Sequence, residues 1–113
     1  MQIVIRTSGA WPPAVIELVR TRLEFALGRF AGRVRSLHVT LKDLNGPRGG
    51  LDKQCRIDIR LRRLGRLIVI DDVDAEPEAA ISRAAERAGR AVTRAVDAAA
   101  SWRAPAWRQA RAY

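Results

Sequence analysis

Hydrophobic and polar positions recur with two different periods along the chain, and the changes of period divide it into six elements. Gln2 to Arg6 is a β-branched run with Ile3 and Ile5 on one side, a strand that ends at Ser8-Gly9. Pro12 and Pro13 then open a helix in which Val15, Leu18, Val19, Leu23, Ala26, Leu27 and Phe30 return at helical spacing. Its outer face carries Glu17, Arg20, Thr21 and Glu24, and Gly32 closes it. From Arg33 to Leu44 the period switches to two, with Val34, Leu37, Val39 and Leu41 inward and His38, Thr40 and Lys42 outward; the parity slips once, at Arg35-Ser36. Asn45 to Gly50 is turn chemistry and joins this strand to the next as a hairpin connection. It lacks the Lys-Ser/Thr ending that a phosphate-binding loop requires. The third strand alternates cleanly, Cys55, Ile57, Ile59 and Leu61 against Arg56, Asp58, Arg60 and Arg62, which makes Cys55 a small core residue. Gly65 permits a tight turn into a fourth strand, Leu67 to Val73, whose Ile68 and Ile70 share a face.

The last element is the longest. Asp74 to Trp102 has the pattern of an amphipathic helix, with Asp74 as candidate N-cap, Pro77 in the first turn, and Glu76 and Glu78 complementing the positive end of the helix dipole. Ile81, Ala85, Ala88, Val92, Val96 and Ala99 form its apolar side. Arg83, Arg87, Arg90 and Arg94 follow at i, i+4, i+7 and i+11, and at about 100° per residue they share an arc of roughly 60° on the opposite side. A basic stripe on one helix is ordinarily a solvated face. Here only Glu86 and Asp97 are acidic between Ser82 and Trp102, so the interleaved acid–base pairs of a merely soluble face are missing. The stripe is also all arginine, whose planar fork binds phosphate oxygens two at a time.

The order β-α-β-β-β-α, with both helices amphipathic, predicts an α+β fold: a four-stranded sheet with two helices packed on one face. A right-handed crossover through the first helix sets strand one parallel to strand two, and the remaining strands follow as an antiparallel meander. The opposite sheet face would present His38, Lys42, Arg56 and Arg60. Residues 1–102 then form a single domain, and residues 103–113, with Trp107, Arg108 and Arg111, form a basic, flexible tail.

Composition sharpens the picture in one respect. The 113 residues are 48% hydrophobic, enough for one domain with one core, but 21 Lys plus Arg against 12 Asp plus Glu leave a net charge of +9. Five of the acids, Asp71, Asp72, Asp74, Glu76 and Glu78, crowd into one segment, which leaves the rest of the surface more basic still. Such an excess points to an anionic partner. A lone cysteine excludes an internal disulfide, no apolar run approaches a membrane span, and no signal peptide precedes Arg6, so a cytoplasmic location is expected.

The segments PAVIELVRTRLEFALGRF and AAISRAAERAGRAVTRAV, with LKDLNGPRGGLDKQCRIDIRL between them, resemble the ribosome hibernation-promoting factor and ribosome-associated inhibitor family across roughly residues 1 to 97. The resemblance implies the same β-α-β-β-β-α fold. It also implies a partner, the small ribosomal subunit, in whose mRNA and tRNA channel such proteins lodge. Ribosomal RNA contacts are implied at Arg83, Arg87, Arg90 and Arg94, and at Arg22 on the first helix. Two positions depart from the family pattern: Glu78 stands where an aromatic precedes AI, and Phe25 where the first helix is basic. The chain further resembles a short form without the C-terminal dimerisation domain.

The function expected is occupancy rather than catalysis: a factor that inhibits translation or promotes hibernation, with Lys42, Arg56 and Arg60 as further candidate contacts and no catalytic residue, metal, cofactor, membrane or small-molecule substrate. The alternative is a general double-stranded RNA- or DNA-binding module on the same fold. An enzyme would have to rest on Asp71, Asp72 and Asp74 as a divalent-ion cluster, residues more often used as caps and solubilising charges. Membrane binding through the second helix is disfavoured by its alanine-rich apolar face.

Overall fold

The computed structural model describes residues 1–44, 52–63 and 65–103, with side chains to residue 100. The hairpin connection Asn45 to Gly50 and the tail after Arg103 lie outside the described residues. The elements run β1 (Gln2–Ser8), α1 (Pro13–Leu27), β2 (Val34–Asp43), β3 (Lys53–Leu61), β4 (Leu67–Asp74) and α2 (Pro77–Arg103). They form a four-stranded sheet in the order β1-β2-β3-β4, with β1 parallel to β2 and the other pairs antiparallel. This is the predicted α+β architecture, with β1 parallel to β2 across α1 and an antiparallel meander after it.

The inward register of each strand supplies the core. Leu37, Val39 and Leu41 of β2 lie beside Ile59, Ile57 and Cys55 of β3, and Ile59 and Ile57 beside Ile68 and Ile70 of β4; all are buried. The parity slip at Arg35 is a β-bulge: Val34 pairs with Leu61 but Ser36 with Arg60, leaving Arg35 as the extra residue. Ile3 and Ile5 are only partly buried, because β1 is an edge strand.

Two boundaries differ from the sequence expectation, and one agrees. Helix α1 ends at Leu27 and continues as a 3-10 turn, Gly28–Phe30, so Phe30 is no longer on its regular face and Gly32 falls two residues beyond the turn. Strand β1 ends at Ser8, where the sequence placed its end, and pairs with β2 along its whole length. Asp74 is the last residue of β4 rather than the helix cap. Its carboxylate accepts the Glu76 N–H at 2.9 Å, and the Glu76 carbonyl accepts the Ala80 N–H at 3.2 Å, so the helix begins at Pro77 with Glu76 as the capping residue.

The two helices cover one face. Val15, Val19, Leu23 and Leu27 of α1 are buried, and from α2 come Ala80, Ile81, Ala84, Ala85, Ala88, Val92 and Ala95, a wider alanine face than the periodic reading named. Small side chains bring the helices close. At Gly89 an added Cβ would sit 3.3 Å from the Ala26 carbonyl oxygen, a backbone atom with little room to yield. Since α1 and α2 both run back along a sheet whose β2 and β4 are parallel to each other, the helices are parallel, and their C-terminal ends share one pole of the domain.

Gly89→Leu is expected to force the helices apart and lower the unfolding free energy by about 1–3 kcal/mol, read from denaturant melts. Burial, with Asp72 and Asp71 adding, pushes the Cys55 thiol up to about 12. In the unfolded chain the thiol ionises near pH 8.5, so above that pH the unfolded state holds fewer protons and stability falls until the folded thiol ionises as well. Iodoacetamide at pH 8 should therefore label Cys55 only under unfolding conditions, and Cys55→Ala should flatten the alkaline limb of the stability profile.

Candidate nucleic-acid interface

The four arginines of the α2 stripe are not equivalent. Register continues the inward alternation Ile68, Ile70 to Asp72, which places a carboxylate on the core face of β4 at 9% exposure. A buried carboxylate needs donors, and α2 supplies them. Arg83 Nη2 and Nε donate to Asp72 Oδ1 at 2.7 and 3.1 Å, and Arg87 Nη1 donates to Asp72 Oδ2 at 3.2 Å. Arg83 Nη2 also reaches Asp74 Oδ2 at 2.8 Å, and Arg87 Nη1 the Asp71 carbonyl at 2.7 Å. The hydrogen bonds Arg83 donates to Asp72 and Asp74 raise its pKa further. Two cations thus meet two carboxylates, and the N-terminal half of the stripe is a clamp between α2 and the end of β4. Both side chains keep an open edge, 48% and 44% exposed, but their charge is largely answered.

Asp71 faces the other way, and its carboxylate accepts from Gln54 Nε2 at 2.9 Å. The Asp71, Asp72 and Asp74 cluster considered for a divalent ion is therefore divided between the two sheet faces, with the Asp72 oxygens occupied by arginine and those of Asp74 by Arg83 and the Glu76 N–H. Among the described residues no group of three His, Cys, Asp or Glu is placed to hold a metal ion.

Arg90 and Arg94 make no ion pair among the described residues. They line an open groove between the helices, of about 710 Å³, together with Glu86, Gly89 and Thr93 of α2, Phe25 and Ala26 of α1, and Arg29 of the 3-10 turn that follows it. Arg29 ties its walls: Nη2 donates to Thr93 Oγ1 at 3.1 Å, Thr93 Oγ1 donates to the Gly89 carbonyl at 2.8 Å, and the guanidinium lies 4.7 Å above the Phe30 ring. Three arginines against the single Glu86 make the groove cationic. Phe25 stands beside them at 89% exposure, a flat apolar ring held in water where burial would ordinarily be worth about 2 kcal/mol. Arg22, one turn before Ala26 on α1, is exposed and continues this row.

The remaining candidates are on the far sheet face, away from the stripe. Arg56 pairs with Asp58 at 3.0 Å, Lys42 and Arg60 make no ion pair among the described residues, and Leu67 and Val69 are about half exposed beside them. This face is mixed, not a second basic plate. The periodic reading of α2 thus located the groove through Arg90 and Arg94 but missed Arg29, Thr93 and the part played by Gly89. The signal for Arg29 was its place in the sequence one helical turn after Phe25 and Ala26.

No protein-family profile and no curated protein matches the chain. Solved structures do. A ribosomal subunit interface protein from Coxiella burnetii superposes with a TM-score of 0.70 at 15% identity, covering 86% of this chain and 99% of that one. The N-terminal domain of Thermus thermophilus Protein Y superposes with a TM-score of 0.68 at 23% identity, covering 83% and 98%. The resemblance drawn from the helix segments is thereby borne out in the fold.

The Glu76 N–H and the Arg83 guanidinium hold the Asp74 carboxyl below its ordinary value. Its contribution to stability is complete above the unfolded value of about 3.9 and is lost as pH falls through the lower folded one. Asp74→Asn should flatten the acid limb of the stability profile. Asp72→Ala, which removes the buried acceptor of both arginines, should destabilise by about 2 kcal/mol at neutral pH in denaturant melts.

Proposed function

We propose that the protein is a ribosome-associated factor that docks on the small subunit through ribosomal RNA and, by occupying the mRNA and tRNA channel, inhibits translation or keeps idle ribosomes in reserve. The carrying observation is the interhelical groove, where Arg29, Arg90 and Arg94 stand without an ion pair among the described residues, next to an exposed Phe25. Guanidinium forks suit phosphate oxygens, and an exposed ring suits an unpaired base, so the combination favours folded RNA with accessible nucleotides over a bare membrane or an acidic protein. Two of the solved structures with this fold are named for a ribosomal subunit interface and for Protein Y, which supports the ribosome as the source of that RNA.

Residues 1–102 act as the binding unit in this reading, and the mechanism is steric. A rigid wedge whose groove is preset by the Gly89 contact and the Asp72 clamp loses little freedom on docking. Arg90, Arg94, Arg29 and Arg22 contact phosphate directly, Arg83 and Arg87 offer only their open edges, and Arg60 and Lys42 meet whatever lies across the sheet. Action is cytoplasmic, where ribosomes are.

Co-sedimentation with purified ribosomes over a salt series tests the reading. Wild type should travel with ribosomes at near-physiological salt, with affinity falling linearly in log salt. Arg90→Ala/Arg94→Ala should keep the fold, lower affinity by at least tenfold and reduce the salt slope by about 2. Equal affinity of the wild type for naked duplex RNA would replace the ribosomal reading with a general nucleic-acid module.

A further inference from the structure

A second concavity, of about 680 Å³, lies at the pole shared by the helix C-termini and is separate from the groove. It is lined by Arg33, Arg35, Arg62 and Arg63, with Leu61 and Val96 as apolar floor. None of the four arginines makes an ion pair among the described residues, and no carboxylate lines the site. The C-terminus of α1 offers about half a negative charge nearby, far too little to balance four guanidiniums.

The backbone is specially shaped to bring these residues together. Arg35 is the extra residue of the β2 bulge, and bulges re-aim a side chain out of the regular alternation. Arg63 adopts φ 67°, the left-handed region, and is the one non-glycine residue to do so among the described residues. That conformation crowds the Cβ of an L-residue, a strain that Gly65, which adopts φ 58° two residues on, escapes. The Arg62 N–H donates to the Arg33 carbonyl at 2.8 Å, which locks the turn after β3 against the start of β2 and fixes the spacing of the arginine pairs.

We infer that this pocket binds a compact cluster of phosphates, as carried by an inorganic polyphosphate or the phosphate chain of a nucleotide. Four forks around one concavity can take several phosphates of a single short chain, whereas successive phosphates of a nucleic acid are spread along a strand and suit a groove. The same phosphate chemistry could come from a sharply folded RNA backbone, and the test separates the two sources. The inference stands apart from the ribosomal reading, because a small polyphosphate needs no ribosome.

The experiment titrates the full chain with tripolyphosphate and with GTP by calorimetry, and in parallel with a single-stranded RNA 12-mer by fluorescence anisotropy. The variants are Arg35→Gln/Arg63→Asn, in which asparagine tolerates the left-handed backbone, and Arg33→Gln/Arg62→Gln as an independent pair that spares it. Arg6→Gln/Arg20→Gln removes the same charge outside the pocket. Tripolyphosphate should bind one to one, at least tenfold more weakly in either pocket pair and within twofold of wild type in the control. If the occupant is RNA backbone, tripolyphosphate fails to bind while the 12-mer loses at least tenfold with a salt slope lower by about 2, and the phosphate site stands with its source changed. Affinities for all three ligands unmoved by both pocket pairs, or lowered equally by the control, would overturn the inference.

Discussion

One carboxylate sets the geometry from which the functional surface follows. Asp72 occupies an inward register position on β4 that Ile68 and Ile70 lead the core to expect as apolar. Burying it is tolerable only because Arg83 and Arg87 close on it from α2. The clamp fixes the N-terminal half of that helix against the sheet edge in both height and rotation. With rotation fixed, Arg90 and Arg94, one and two turns further on, are carried over the α1 side and not over the strand.

The same rotation brings Gly89 against Ala26. Alanine and glycine at this contact yield little apolar area, so the helix pair is held less by burial than a leucine-rich pair would be. What the small residues provide is proximity: the helices approach closely enough for Arg29 to span to Thr93 and for cations from both to share one groove. A larger residue at Gly89 would enlarge the buried surface while separating the charges that make the groove useful. Packing has been traded for electrostatic concentration, and the clamp at the far end of α2 supplies the rigidity that the thin contact lacks.

The strand order, the crossover, the core faces of β2 and β3 and the buried state of Cys55 were all legible in the sequence, because each rests on a period of two or 3.6 that local residues enforce. The β2 bulge announced itself as a slip of parity at Arg35. The division of the arginine stripe did not, since four arginines at helical spacing look alike until their surroundings are known. Yet the alternation Ile68, Ile70, Asp72 carried a signal: an acid in an inward position requires a cation, and the following helix opens with arginine. Asp74 misled for the opposite reason, because an aspartate two residues before a Glu-Pro start satisfies either a cap or an Asx turn. The pole of four arginines was illegible, as Arg33, Arg35, Arg62 and Arg63 are joined only through the register of β2 with β3.

Charge in this domain is sorted by end as well as by sign. Asp43, Asp52, Asp72, Asp74, Glu76 and Glu78 gather where β2 ends, β3 and α2 begin, and Lys53 answers the first two at 3.0 and 3.1 Å. The opposite pole, toward which both helices run, collects Arg33, Arg35, Arg62 and Arg63 instead. Glu78 in the first turn of α2 matches the positive end of that helix dipole, and the sorting gives the molecule a large electrical asymmetry. An anionic surface approached from solution would turn the arginine pole and the groove toward itself before any contact forms. A net charge of +9 spread evenly would attract the same partner without orienting the approach. Sorting the charges by pole makes orientation part of the encounter, and the acidic end, neutralised internally by Lys53, Arg83 and Arg87, faces away from it.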